Sequence, residues 1–250
     1  MIQLTIIRIE DYGPWTITLG SDREAQLQML QAKIYHDVQR LFSEKNCIVF
    51  FNRFDEYFAV TNGLDALEHK EIQRELAEMY DDLKMSMAIG AGKTAFEANL
   101  NAYSARKEVK MLDNEARIFG NTLGDADTVQ IMHIDVDSST KVGDQLSPYE
   151  ITALVIKIYS RLAEEFLSHN SLTFYLGGDN FMVISNGVTK EQADAVIKKV
   201  TAGFDVKLNC GIGIGKSGRK AAKGATKALD TIRDLRKQGK IQPIFEIRCL

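Results

Sequence analysis

Three acidic side chains and one imidazole in the second half of the chain have the types and spacing needed for metal-assisted chemistry. Residues 130–137, QIMHIDVD, read as a strand, in which successive side chains point to opposite faces. His133, Asp135 and Asp137 therefore share one face, and Asp179 lies at the tip of a hairpin further along. Mg²⁺ prefers carboxylate oxygens, and closely spaced like charges repel unless a cation neutralises them. The pattern predicts a divalent-metal site shared by Asp135 and Asp179. The alternative is an exposed strand end that merely carries charges.

The hairpin that carries the last of these aspartates contains two consecutive glycines. Two apolar strands, Leu172 to Leu176 and Phe181 to Ser185, flank the turn. Gly177 and Gly178 tolerate backbone angles that other residues resist, and they leave room for a phosphate group to approach. We therefore take Gly177, Gly178 and Asn180 as candidate substrate-binding residues. A Gly-Gly-Asp-Asn turn alone is also typical of a hairpin without function.

The chain contains two copies of one sequence module. Residues 46–64 align without a gap onto residues 170–188, and two further pairs of segments align at nearly the same offset. These pairs are residues 2–11 with 129–138 and residues 83–102 with 206–225. Three collinear matches indicate a duplicated module and therefore two domains. We predict an N-terminal module (1–119), a linker (120–128) and a C-terminal module (129–250) that carries the metal site.

Hydrophobic periodicity predicts the order β-α-β-β-α-β-α in both modules. In the first, the predicted elements are a strand at 2–9, a polar corner at 10–15, a helix at 21–45, a hairpin at 47–61, a helix at 66–82, a strand at 84–90 and a largely helical segment at 94–119. In the second they are a strand at 129–136, a helix at 148–169, the hairpin, a helix at 190–204, a strand at 207–214 and a helix at 221–238. A last strand, 241–248, has no assignable counterpart. The fold class is α+β: tandem ferredoxin-like βαββαβ modules, each an antiparallel sheet with helices on one face. The other face is expected to stay free for a partner module or ligand.

The composition limits the classes of function. With 250 residues, 45% of them hydrophobic, each module of about 125 residues can bury a core. A net charge of −3 provides no basic face for nucleic acid and no polybasic membrane anchor. The three cysteines are dispersed, and the N-terminus does not resemble a signal peptide. We expect a soluble cytoplasmic protein that binds neither nucleic acid nor membrane.

The acidic motifs resemble those of a known group of catalytic modules. IDVD at the first strand and GGDN at the hairpin look like the palm-type modules of class III nucleotidyl cyclases and GGDEF diguanylate cyclases. The whole chain, through IEDYGPWT, FFNRFDEYFAVTNG and LGGDNFMVISNG, resembles the GTP cyclohydrolase III family. That resemblance implies hydrolytic opening of the guanine imidazole ring with retention of the formyl group. It also implies release of two phosphates, giving a formylamino-pyrimidine ribonucleotide monophosphate.

The resemblance also implies a ligand set. Asp135, Asp179 and the backbone carbonyl of Val136 match the palm metal ligands, which hold two Mg²⁺ ions. Asp137 is an additional acid without an assigned role, and it is kept with His133 as a catalytic candidate. A monovalent cation, a homo-oligomer (dimer or tetramer) and a place in flavin or deazaflavin cofactor biosynthesis are further expectations.

The first module departs from this pattern. Arg8 stands where the second module has Asp135, and Arg53 with Phe54 replaces the two glycines, although Asp55 remains. We therefore expect no second metal site in the first module. We hypothesise that the second module binds metal and phosphates while the first contributes to guanine recognition. The candidates, each of which is otherwise a turn or surface residue, are Glu10, Asp11, Asn52, Arg53 and Asp55.

Other motifs have weaker interpretations. Gly215-Lys216-Ser217 resembles the end of a phosphate-binding loop but lacks the required earlier glycine, because that position is Cys210. Lys216 is kept as a phosphate candidate, although a plain strand-to-helix turn is the better interpretation. The other three histidines, His36, His69 and His169, are interpreted as surface or boundary residues.

Two other functions compete with the cyclohydrolase. A true nucleotidyl cyclase would use a 3′-hydroxyl rather than water as the nucleophile. A degenerate palm module would sense a nucleotide without turnover, but such modules typically lose the acids that are retained here.

Overall fold

The computed structural model describes residues 1–124, 127–137 and 146–249. The chain divides into two compact units, Met1–Gly92 with Glu97–Ala126 and Lys93–Phe96 with Asp127–Leu250. They are called the N-terminal and C-terminal units here. No helix in the described ranges has both the length and the apolar character that crossing a membrane requires.

Ten elements form the first half of the chain. They are β1 (Ile2–Ile9), α1 (Tyr12–Thr18), α2 (Glu24–Glu44), β2 (Ile48–Arg53), β3 (Glu56–Val60), α3 (Ala66–Met79), β4 (Met85–Gly92), α4 (Ala95–Lys107), β5 (Met111–Asp113) and β6 (Ile118–Gly120). Their sheet has the order β2-β3-β1-β4-β6-β5. All its strand pairs are antiparallel except β4 with β6, which is parallel.

The second half repeats this order among its described residues, except that α1 and β5 have no counterpart there. Its described elements are β7 (Val129–Val136), α5 (Pro148–Ser168), β8 (Leu172–Gly177), β9 (Asn180–Ile184), α6 (Lys190–Thr201), β10 (Leu208–Gly215), α7 (Gly218–Lys237) and β11 (Ile244–Cys249). The sheet has the order β11-β10-β7-β9-β8, and only β10 with β11 is parallel. The predicted α+β class with two palm-like sheets is confirmed.

The duplication extends to individual hydrogen bonds. The backbone N–H of Gln3 donates to Asn62 Oδ1 (2.8 Å), and that of Gln130 donates to Asn186 Oδ1 (3.0 Å). Helices α3 and α6, which each follow the β-hairpin of their unit, both begin with a capping box. Its N-cap residues are Asp65 in α3 and Thr189 in α6. The two halves therefore share local hydrogen bonds and helix caps although their sequences differ.

The core of each βαββαβ set lies under two helices. In the N-terminal unit, α2 and α3 bury Ile34, Phe42 and Ile72 against Ile7 of β1 and Met87 of β4. In the C-terminal unit, an equivalent cluster joins α5 and α6 to β7 and β10. The helices of the βαββαβ core therefore share one face, as predicted.

The opposite face is not free, which corrects one expectation. Gly211 and Gly213 of β10 turn toward α7, and a Cβ atom there would lie 2.1 Å from Ala225 O and 2.0 Å from Ala221 O, respectively. The missing side chains thus let the α7 backbone lie directly on the strand. In the first half, Gly90 contacts α4 in the same way. Each sheet is consequently covered on part of its second face.

Three other sequence assignments need correction. Most of the predicted polar corner at 10–15 is helical, because α1 already begins at Tyr12; its Pro14 lies in the first turn, where a missing N–H costs nothing. The segment 94–119 is helical only to Lys107, and it then forms the β5–β6 hairpin. The last strand of the chain has a counterpart after all, since β6 pairs in parallel with β4 as β11 does with β10.

Candidate functional site

Strand β7 presents the predicted polar face. Met132 and Ile134 lie in the core beneath α5 and α6, so His133 and Asp135 project from the other side of the strand. Asp135 is 4% exposed and Asp137 is 6% exposed. Buried carboxylates need partners, because burial without compensation strongly disfavours the ionised form.

Helix α7 supplies those partners. Arg233 Nη2 donates to Asp135 Oδ2 (2.6 Å), and Asn209 Nδ2 donates to Asp135 Oδ1 (3.0 Å). Arg236 Nη2 lies 2.6 Å from Asp137 Oδ2, and it also donates to Asn209 Oδ1 (2.8 Å). The hydrogen bond to Asp135 raises the pKa of Arg233. Two arginines thus provide the neutralisation that the sequence argument assigned to a metal ion alone.

The glycine hairpin lies beside this carboxylate pair. Asp135 pairs with Asn180 across β7 and β9, and the backbone N–H of Val136 donates to Asp179 O (3.3 Å). Gly177 and Gly178 adopt φ values of 103° and 60°. A Cβ atom at Gly177 would have no neighbour within 4 Å, so the turn offers open space. The predicted ligands therefore come from β7 and from the turn that leads into β9, its neighbour in the sheet.

A hydrogen-bonded chain connects His133 to the hairpin tip. Asn180 Nδ2 donates to Asp179 Oδ1 (2.7 Å), which leaves Asn180 Oδ1 to accept from His133 Nε2 (3.1 Å). His133 Nδ1 then accepts from the Thr226 hydroxyl of α7 (3.1 Å). Both ring nitrogens are engaged within the protein, so the geometry favours a positioning role for His133. Burial lowers its pKa, which keeps the ring neutral near pH 7.

The donor set matches a hard cation in type. Within residues 1–124, 127–137 and 146–249, no three His, Cys, Asp or Glu side chains lie close enough to hold a metal by themselves. Two carboxylates are nevertheless sufficient for Mg²⁺ when substrate phosphates and water complete the octahedron. Asp135 and Asp179 provide two carboxylates, and the Val136 carbonyl provides a third hard oxygen.

The N-terminal unit carries a modified version of this arrangement. Arg106 Nη2 donates to Glu10 Oε2 (2.6 Å), and Ser86 Oγ donates to Glu10 Oε1 (2.5 Å). Burial opposes ionisation of Glu10, but these hydrogen bonds and the arginine charge lower its pKa overall. At the equivalent of Asp135, Arg8 lies 3.9 Å from Glu56. An arginine at that position makes the first unit a poor metal site.

The remaining base-recognition candidates belong to the β2–β3 hairpin and to α1. Asn52 Nδ2 donates to Glu56 Oε1 (2.9 Å), and Arg53 Nε lies 3.3 Å from Asp55 Oδ1. Asp11 precedes α1 with a φ of 52°. Asn52, Arg53 and Asp55 form a charged hairpin tip, and Asp11 lies outside that hairpin. The role of all four residues in guanine recognition stays a prediction.

Lys216 is not brought to the site. It follows the last residue of β10, whereas Asn209, the partner of Asp135, lies near the first. Six residues of extended strand lie between Asn209 and Lys216, which places the two residues roughly 20 Å apart. Ser217 caps α7 by accepting from the backbone N–H of Lys220 (3.3 Å), so this segment is the strand-to-helix turn that the sequence favoured.

Sequence reasoning missed the α7 side of the site. Arg233 and Arg236 are three residues apart in TIRDLRK, a spacing that puts them on one helix face, but a charged run is usually a solvated face. Asn209 and Thr226 belong to no sequence motif that could have indicated their place in the site. His69 was also misassigned, because it is fully buried and its Nε2 lies 2.8 Å from Thr5 Oγ1.

Comparison with known proteins gives a consistent family. A family model described as GTP cyclohydrolase III matches residues 1–244. The chain is 37% identical over 245 residues to GTP cyclohydrolase III of Methanocaldococcus jannaschii, covering 93% of this chain and 88% of that protein. It is also 37% identical over 245 residues to the protein of the same name from Methanothermobacter thermautotrophicus, covering 93% and 95%.

Solved structures give a weaker likeness. An EAL/GGDEF domain protein from M. capsulatus aligns with a TM-score of 0.37 and 15% identity, covering 49% of this chain and 86% of that one. The GGEEF domain of a diguanylate cyclase from Vibrio cholerae aligns with a TM-score of 0.36 and 15% identity, covering 49% and 85%. At these TM-scores the likeness supports no further argument.

Proposed function

Because the chain belongs to the GTP cyclohydrolase III family, we propose that it uses water to open the imidazole ring of GTP at C8. The formyl group is retained and two phosphates are released. The product is then 2-amino-5-formylamino-6-(5-phospho-ribosylamino)pyrimidin-4(3H)-one. Beyond family membership, one observation supports the proposal. The buried carboxylates of Asp135 and Asp137 are each paired with an arginine, and they lie beside the open glycine hairpin.

The site is suited to a triphosphate with its magnesium. Asp135, Asp179 and the Val136 carbonyl would hold Mg²⁺, two ions in the proposal. When bound, Mg²⁺ neutralises phosphate charge and polarises the phosphoryl groups for attack by water.

The protein's own groups complete the site. Arg233 and Arg236 present guanidinium groups, which match phosphate oxygens in a bidentate geometry. We assign them to the phosphates, with Asp135 and Asp137 holding them in place before substrate arrives. His133 keeps Asn180 oriented so that its amide group faces Asp179. Gly177 and Gly178 leave room at the turn for the phosphate chain.

The first test identifies the product. The full chain is incubated with GTP and MgCl₂, and ultraviolet absorbance, phosphate release and product mass are recorded. The proposal expects loss of the guanine absorbance band together with two equivalents of phosphate. Pyrophosphate with a cyclic nucleotide would instead indicate a nucleotidyl cyclase, and absence of turnover would indicate a nucleotide-sensing module. Either result contradicts the proposal.

The second test assigns the reaction to this site. Asp135→Asn keeps the shape of the side chain but removes its charge, so turnover should be abolished while the circular dichroism spectrum is unchanged. Asp194→Asn is the matched control, because Asp194 is a half-buried α6 residue whose described ion pair is local, with Lys198 Nζ at 2.5 Å. Retained Mg²⁺-dependent activity in Asp135→Asn would refute the assignment.

A further inference from the structure

A cavity of about 590 Å³ lies in the N-terminal unit, and none of the residues assigned above lines it. Its walls come from α3, from residues 83–85, which lead into β4, and from the β5–β6 hairpin. This volume lies within the usual range of small-molecule sites. We propose that this cavity binds a purine nucleoside monophosphate, as a site separate from that of the proposed GTP reaction.

The cavity is lined by four cations, Lys70, Arg74, Lys84 and Arg117, and by two acids, Asp113 and Glu115, so its lining is net cationic. Lys70 Nζ is neutralised by Asp113 at 2.6 Å, and Arg74 Nε lies 3.8 Å from Glu78 in a loose, exposed pair. Lys84 and Arg117 are exposed and form no ion pair with any residue in the described ranges. Cations at a cavity mouth attract anions and match the charge of a phosphate group.

The floor of the cavity carries an unused hydrogen-bond acceptor. Gln73 is 5% exposed, and its Nε2 donates to Met85 O (2.8 Å). Its Oε1 is buried and accepts no hydrogen bond from any described residue. An acceptor left without a donor in a buried position costs free energy, so a native structure should retain one only for a reason.

The duplication supplies an internal comparison. By alignment of the capped helices, Gln73 of α3 corresponds to Ile197 of α6, a core residue that is 6% exposed. The fold therefore accepts an apolar side chain here and does not itself require an amide. The corresponding groove of the C-terminal unit measures about 330 Å³ and is lined by two acids, Glu191 and Asp194, with one cation. Both the larger volume and the cationic rim are specific to the first unit.

These features together select the ligand class. Leu83, Met85 and two alanines provide apolar contact for a flat ring. Gln73 Oε1 is covered in the free chain. In the proposed complex its amide rotates toward the cavity and accepts from an N–H group at the edge of a purine, while the rim binds one phosphate. A simple anion would use the rim but leave the apolar wall and the amide without a function.

Isothermal titration calorimetry with GMP tests the proposal on the full chain, with EDTA present to suppress metal-dependent binding. Arg74→Glu should weaken GMP binding about tenfold or more through charge reversal at the rim. Arg40→Glu is the matched control, because Arg40 is also a helix arginine paired with a glutamate four residues later, Glu44 at 3.1 Å. Its affinity for GMP should equal that of the wild type.

Gln73→Leu tests recognition of the base. It should weaken GMP binding about fivefold to tenfold and leave the affinity for ribose 5-phosphate unchanged. The proposal is overturned if wild type binds no GMP, or if Arg74→Glu and Arg40→Glu bind it equally. It is also overturned if wild type binds ribose 5-phosphate as tightly as GMP. If Gln73→Leu does not fold, the arginine pair and this wild-type comparison still decide the outcome.

Discussion

Gly213→Ala tests how α7 reaches the candidate site. The added Cβ atom would lie 2.0 Å from Ala221 O and 2.3 Å from Ala225 N, and both are backbone atoms that no side-chain rotation can move away. Ordinary contact begins near 3.4 Å, so the helix must shift by more than an ångström. Arg233, now 2.6 Å from Asp135, would then lose its hydrogen bond. Overpacking typically costs 1–3 kcal/mol, and with the weakened ion pair we expect about 3 kcal/mol of destabilisation.

The assay is thermal unfolding followed by circular dichroism. A loss of about 3 kcal/mol in a chain of this size lowers Tm by about 6–12 °C. Gly13→Ala is the control, because a Cβ atom there meets nothing within 4 Å. Both variants could melt within about 2 °C of the wild type, which corresponds to less than about 1 kcal/mol. That result would contradict the claim that the packing of α7 requires glycine in β10.

Two further predictions follow from buried titratable groups. Burial lowers the pKa of His69, so the unfolded chain binds an extra proton as pH falls below about 6.5, and stability should decrease from pH 7 to pH 5. Urea titrations should show a smaller decrease for His69→Gln, and an equal decrease would contradict the assignment. Burial raises the pKa of Cys47 to about 12 and raises that of Cys210 as well, so neither thiol should react with iodoacetamide at pH 8 until urea is added. Rapid labelling of either cysteine in the native protein, detected by mass spectrometry, would count against a buried thiol.

Much of the fold was predictable because its signals are local and repeated. β-branched apolar runs identified β1 and β7, and the duplication made each assignment in one half support the other. Alternation along β7 correctly separated the core face of Met132 and Ile134 from the polar face of His133 and Asp135. These inferences need only the period of a strand and the pairing of neighbouring strands.

The β5–β6 hairpin and the α7 side of the site could not be predicted, because no local sequence pattern indicates them. The predicted helix at 94–119 ends early, and Val109 and Arg117 both adopt a φ of 54°, which is uncommon for residues other than glycine. β5 and β6 have three residues each, too few for an alternating pattern. Arg233 and Arg236 looked like solvent-facing charges, because only the tertiary approach of α7 places them over buried carboxylates.

The most direct test of the central claim is metal binding in the presence of nucleotide. Mn²⁺ can replace Mg²⁺ as a spectroscopic probe, and electron paramagnetic resonance then counts bound ions per chain with a non-hydrolysable GTP analogue. We predict two bound ions in the wild type and loss of binding in the Asp135→Asn, Asp179→Asn double variant, while Asp194→Asn binds as the wild type does. Unchanged Mn²⁺ binding in the folded double variant would contradict the claim that these two carboxylates hold the metal.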